Sequence, residues 1–165
     1  MANDFRSHKR IFLRLISTLL TGLALVGVVG CAELAGDGET VSIPPVQIEC
    51  RSNFCKDASH TQGRVFLVYT TSGCNSPAFG EAAGASATIT CNPTSGCRGT
   101  VSSFSSSGGL PIREIPTGFY SICVTIDFDN DYLGEAVAGD AVGVRNNAAV
   151  GKTSGTLIVD SFSDK

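Results

Sequence analysis

The chain has 165 residues, room for one domain plus processing segments, since domains commonly run to about 100–150 residues. It carries 12 Lys and Arg against 15 Asp and Glu; without residues 1–30 the balance becomes 8 against 14, a net charge of −6. A domain this acidic, with no local cluster of Lys or Arg, repels phosphate backbones and excludes nucleic acid as an expected partner.

In chain order, Arg6, Lys9, Arg10 and Arg14 give a basic start, and the apolar run 15–30 follows, ending at Val28-Val29-Gly30-Cys31. The run is short of the roughly 20 apolar residues that span a bilayer, and it stops at small residues. Both features point to a cleaved, helical signal segment over residues 1–30. The alternative is an uncleaved signal anchor in which Cys31 is incidental; either way residues 32–165 lie outside the cytoplasm.

The tetrapeptide Val28-Val29-Gly30-Cys31 resembles the lipobox of bacterial lipoproteins. The resemblance implies cleavage between Gly30 and Cys31 by a prolipoprotein signal peptidase. It also implies a diacylglycerol thioether on the Cys31 sulfur and an acylated amine, palmitate being one such chain. A thiolate has the nucleophilicity that thioether formation needs, and several acyl chains anchor stably in a bilayer. In that family an Asp after the lipidated cysteine often retains the protein in the inner membrane. Here Ala32 follows, which implies the outer membrane of the cell envelope where the source has two membranes.

Residues 31–45 comprise the lipidated cysteine and an expected tether, with Gly36, Asp37, Gly38 and Glu39 giving a solvated spacer and Pro44-Pro45 a stiff end. The domain is expected over 46–165. Six cysteines remain there: Cys50, Cys55, Cys74, Cys91, Cys97 and Cys123. An even number in an exported chain favours three disulfides over zinc, although six cysteines allow 15 connectivities. Turn residues bracketed by Cys91 and Cys97 make that pair the best single expectation.

From Val46 on, β signals dominate. Residues 65–69 form an apolar β-branched and aromatic run, 85–90 alternate small apolar with hydroxyl residues, and 98–104 are strand-compatible. Residues 105–109 are a Ser- and Gly-rich loop. The segment 119–128 alternates most clearly: Tyr120, Ile122, Val124, Ile126 and Phe128 share one parity and are expected in the core. Cys123 then points to the other face, where Cys74 is a candidate partner. A last strand is expected over 156–162. The sum is an all-β class: a single small disulfide-braced β-sandwich of about seven or eight strands, with a small β-barrel as the alternative.

Pro116, Gly118 and Tyr120, entering an alternating strand, resemble transthyretin-like or carboxypeptidase-regulatory-like sandwich modules. The resemblance implies a turn at Pro116 and Gly118 and a tyrosine that helps pack the sheets. It covers about a third of the mature chain, does not include the cysteines, and concerns fold rather than activity.

Asp127, Asp129 and Asp131 place carboxylates at alternate positions, with Glu135 and Asp140 beyond. Oxygen ligands at this spacing are similar to the start of a calcium loop, but Tyr132 stands where such a loop needs glycine and Ala138 where it needs a carboxylate. Asp140 or Glu135 would have to substitute. The competing expectation is a solvated strand-end loop in which Asp and Asn close side-chain turns. His60 is the only histidine after the signal segment, and no nucleophile elbow or metal-binding histidine pair occurs.

Three functions follow as expectations. The leading one is a noncatalytic, membrane-anchored envelope lipoprotein whose domain has a structural role or binds an envelope or extracellular protein. The second is a calcium-stabilised adhesion or recognition module using Asp127, Asp129, Asp131 and Asp140. The third is a hydrolase built on the same acids, which needs a carboxyl group of raised pKa in a pocket. The chain has no tryptophan to supply a flat sugar-binding platform.

Overall fold

The structure, a computed structural model, describes residues 38–75 and 81–165. The expected signal peptide, Cys31 and the first part of the tether fall outside the described residues. Twelve strands run in order: β1 (Thr40–Ser42), β2 (Val46–Cys50), β3 (Gln62–Thr70), β4 (Glu81–Asn92), β5 (Gly96–Val101), β6 (Phe104–Ser105), β7 (Pro111–Ile112), β8 (Glu114–Pro116), β9 (Gly118–Asp127), β10 (Ala141–Val150), β11 (Leu157–Val159) and β12 (Phe162–Asp164). One 3-10 turn, Phe54–Lys56, is the only helical piece among the described residues. The all-β class is therefore the observed one. The strand number exceeds the expected seven or eight because six of these strands are pieces of two or three residues.

The principal sheet has the order β11-β2-β5-β4-β3-β9-β10-β12, with β6 and β7 attached beside β4, and β1 pairs separately with β8. The expected single strand at 156–162 divides at Asp160 and Ser161. Its first part pairs in parallel with β2, and its second pairs antiparallel with β10. Two intervening residues reach about 10 Å at most, so the two ends of the strand order must lie side by side. Arg145 on β10 closes the gap further, its guanidinium donating to the Ile158 carbonyl at 2.9 Å. The sheet is thus nearly closed, a form that fits both the sandwich and the small barrel.

Strand alternation explains the core. Val65, Leu67 and Tyr69 on β3 stand opposite Ile126, Val124 and Ile122 on β9, and all six side chains are buried. Val46 on β2 meets Val101 on β5 in the same way. Phe128, expected in this row, is partly buried and packs against the margin of the core. At the turn between β4 and β5, Gly96 has φ of +80° and a Cβ there would strike the Cys50 carbonyl, so glycine is required.

The expected tether over 31–45 ends earlier than its composition suggests. Thr40–Ser42 pair with Glu114–Pro116, and Val41 and Ile43 are buried. The Tyr69 hydroxyl donates to the Pro44 carbonyl at 2.8 Å. Residues 40–45 therefore belong to the folded unit, because the two prolines lie against the sheet rather than stiffening a free spacer.

Candidate metal centre

Among the described residues all six cysteines serve structure. Disulfides join Cys50 to Cys55, Cys74 to Cys123, and Cys91 to Cys97. Cys50, Cys97 and Cys91 lie in line on three adjacent strands, because Cys97 stands opposite Cys50 on one side and Cys91 on the other. Cys123 lies on the face of β9 turned from the core, and the segment after β3 brings Cys74 over it, with Cα atoms 5.5 Å apart.

Tyr120 follows the bend between β8 and β9. It is buried, and its hydroxyl donates to the Pro116 carbonyl four residues upstream at 2.8 Å. This ties the β8–β9 corner to the strand it feeds, a device that β-sandwich domains use. His60 is also structural: its Nδ1–H donates to the Phe54 carbonyl at 3.1 Å and its ring stacks on Phe128 at 3.9 Å.

The remaining polar chemistry gathers at one hairpin. Strand β9 ends at Asp127, Asp140 immediately precedes β10, and Ile126 pairs with Ala141. Antiparallel register therefore sets Asp127 and Asp140 facing one another at the base of loop 128–139. The loop turns back so that Asp129 and Asp131 join them, and one ligand oxygen from each of the four lies within 4.8 Å of the others. Glu135, weighed as a substitute ligand, is exposed and not a member of this group.

Local turns fix the geometry. Asp127 Oδ1 accepts from the amides of Asp129 at 3.2 Å and Asn130 at 2.7 Å, closing a side-chain turn that carries Asn130 into the left-handed region at φ 66°. Asp140 Oδ2 accepts from the Val137 amide at 2.9 Å. The solvated strand-end loop expected from the sequence thus has its side-chain turns and an exposed tip, with Asp129 and Asp131 in water, but its two base residues are buried. Asp127 and Asp140 are 2% and 0% exposed, and among the described residues Asp127 Oδ2 and Asp140 Oδ1 have no hydrogen-bond partner.

Electrostatics reflect this crowding. Burial, reinforced by the charges of Asp127 and Asp129, raises the Asp140 carboxyl above its ordinary range despite the Val137 amide, which acts the other way. Asp131 is raised by desolvation, by a hydrogen bond and charge from Asp129, and by the charges of Asp140 and Asp127. Beside the cluster, Tyr132 stacks on Phe66 at 4.0 Å, and the Arg64 guanidinium lies 4.8 Å over the other ring of that pair, Phe66. Four carboxylates converging on one point form a shell suited to a cation.

No protein-family model matches the chain, and comparison with curated proteins and with solved structures likewise gives no match.

Proposed function

We propose that the chain is an exported, noncatalytic lipoprotein of the bacterial cell envelope. Acyl chains on Cys31 hold it in a membrane, the outer one where there are two, and its β domain has a structural role or binds an envelope or extracellular protein. The observation that carries this reading is the pairing of all six cysteines beyond Cys31 in three disulfides. Such bonds form and persist in oxidising extracytoplasmic spaces and are rare in the reducing cytosol. Eight residues, 32–39, separate Cys31 from the first strand at Thr40, which makes for a short tether.

The test is metabolic labelling with radioactive palmitate in a bacterial host, followed by membrane fractionation. The wild-type chain is expected to carry label and sediment with membranes, whereas Cys31→Ser loses the label and its salt-resistant attachment. An unlabelled wild type, or label that persists in Cys31→Ser, would overturn the assignment.

A further inference from the structure

We propose that Asp127, Asp129, Asp131 and Asp140 form a calcium site that ties the end of β9 to the start of β10 and orders loop 128–139. The inference is independent of lipidation and rests on three observations.

The first is distance. Calcium takes oxygen ligands at about 2.3–2.6 Å, so ligands on opposite sides of one ion are up to about 5 Å apart. The four carboxylates already place their oxygens within 4.8 Å of one another, the span of a single coordination shell.

The second is the buried pair. A carboxylate taken out of water needs partners for its lone pairs, and isolated buried charge is costly. Asp127 and Asp140 are each more than nine-tenths buried. Each commits one oxygen to backbone amides and leaves the other, Oδ2 and Oδ1, with no partner among the described residues. The amides fix the orientation of these carboxyls, and one oxygen of each belongs to the convergent group of four. A divalent cation satisfies both and offsets the repulsion among four acids.

The third is the mixture of buried and exposed ligands. Asp129 and Asp131 are exposed, so the outward side of the site is open to water or to an oxygen ligand from a partner. Magnesium keeps several of its waters and is usually bound through one or two carboxylates, whereas calcium takes about six to eight oxygen ligands in flexible geometry and suits four convergent carboxylates better; the all-oxygen set is unsuited to softer metals. In this arrangement Gly139, at φ +108°, brings the chain into Asp140, and a Cβ there would lie 3.9 Å from Asp129 Oδ2. Bound calcium also fixes the base of the loop that carries Leu133, which is 97% exposed.

The test uses the full chain in mild detergent, stripped with a chelator and titrated with calcium chloride by calorimetry, with thermal unfolding in parallel. Binding of one ion per chain is expected, with a Kd on the order of 10⁻⁴–10⁻³ M as in extracellular calcium modules. The unfolding midpoint should rise progressively with calcium. Asp129→Ala, an exposed side chain whose loss leaves the Asp127 turn and the Asp140 amide bond intact, should weaken binding at least tenfold and abolish the rise. Its midpoint in chelator should be no lower than that of the wild type. Asp140→Asn provides a second variant that keeps size and amide contact while removing charge, and it too should lose the calcium response. An unchanged midpoint with no binding heat at about 10 mM calcium, ten times the weak end of that range, would overturn the site. So would a calcium response retained in Asp129→Ala, and an equal response to magnesium would overturn the choice of ion.

Discussion

Replacing Cys74 and Cys123 together by Ala is expected to cost about 4 kcal/mol. The bridge joins residues 49 apart in sequence, against 5 for Cys50–Cys55 and 6 for Cys91–Cys97. In the chain-entropy account the restriction of the unfolded state grows with the logarithm of loop length. It gives about 4 kcal/mol for the long bridge and about 2 kcal/mol for each short one. Cys74 and Cys123 are half-buried, so their truncation leaves little cavity and the loss reports the cross-link itself. The other four cysteines are buried, and alanine there adds a cavity cost to the loss of the bond. Urea unfolding of the oxidised protein, followed by circular dichroism, provides the assay. At a slope of about 1.5–2 kcal/mol/M the midpoint should fall by about 2–3 M, and the slope itself should steepen because the uncrosslinked unfolded chain exposes more surface. A loss below about 2 kcal/mol, no larger than a short loop would give, would refute the reasoning.

Tyr120→Phe removes the donor to the Pro116 carbonyl and should cost about 1–2 kcal/mol in the same urea assay; a change within about 0.5 kcal/mol would mean that the corner contributes no stability. Burial raises the Tyr69 phenol above its ordinary pKa of 10.0, so the folded protein keeps a proton that the unfolded chain gives up. Stability should hold below about pH 10 and fall above it by up to about 1.4 kcal/mol per pH unit, and Tyr69→Phe should lessen that slope; an unaltered slope in urea midpoints across this range would count against the burial argument.

Elements with uninterrupted alternation were legible in the sequence. Strand β9 is the clearest: Tyr120, Ile122, Val124 and Ile126 are buried on one face while Cys123 takes the other. Alternation records burial directly when one face meets the core and the other does not. Strand β10 was not legible, for two physical reasons. A bulge between Arg145 and Ala148 sets two residues, Asn146 and Asn147, against the single Ser121, with Asn147 at φ 54°, and so shifts the parity of everything beyond it. Gly143 also breaks the apolar pattern, and its reason lies on another strand: the Phe162 ring occupies the space beside it, 2.5 Å from where a Cβ would be. The short margins, such as β1 against β8, depend on partners more than seventy residues away, as in Thr40 opposite Pro116, and carry no local pattern.

The acidic group shows how local spacing and long-range register divide the work. Asp127, Asp129 and Asp131 are conspicuous at alternate positions, but by spacing alone they suit a solvated turn as well as an ion site. The fourth carboxylate, Asp140, enters through strand pairing: with Ile126 fixed opposite Ala141, the residues just outside that pair must meet. The same pairing buries Asp127 and Asp140 while loop 128–139 leaves Asp129 and Asp131 in water. A helix-flanked calcium loop would need its glycine and its last carboxylate at set positions, where this chain has Tyr132 and Ala138. In the proposed site the hairpin would remove that requirement, because its final ligand would come from the returning strand. Tyr132 is then free to pack its ring on Phe66 and hold the loop against β3. The departures from a helix-flanked calcium loop and the convergence of the four carboxylates thus have one cause, the antiparallel geometry of β9 and β10.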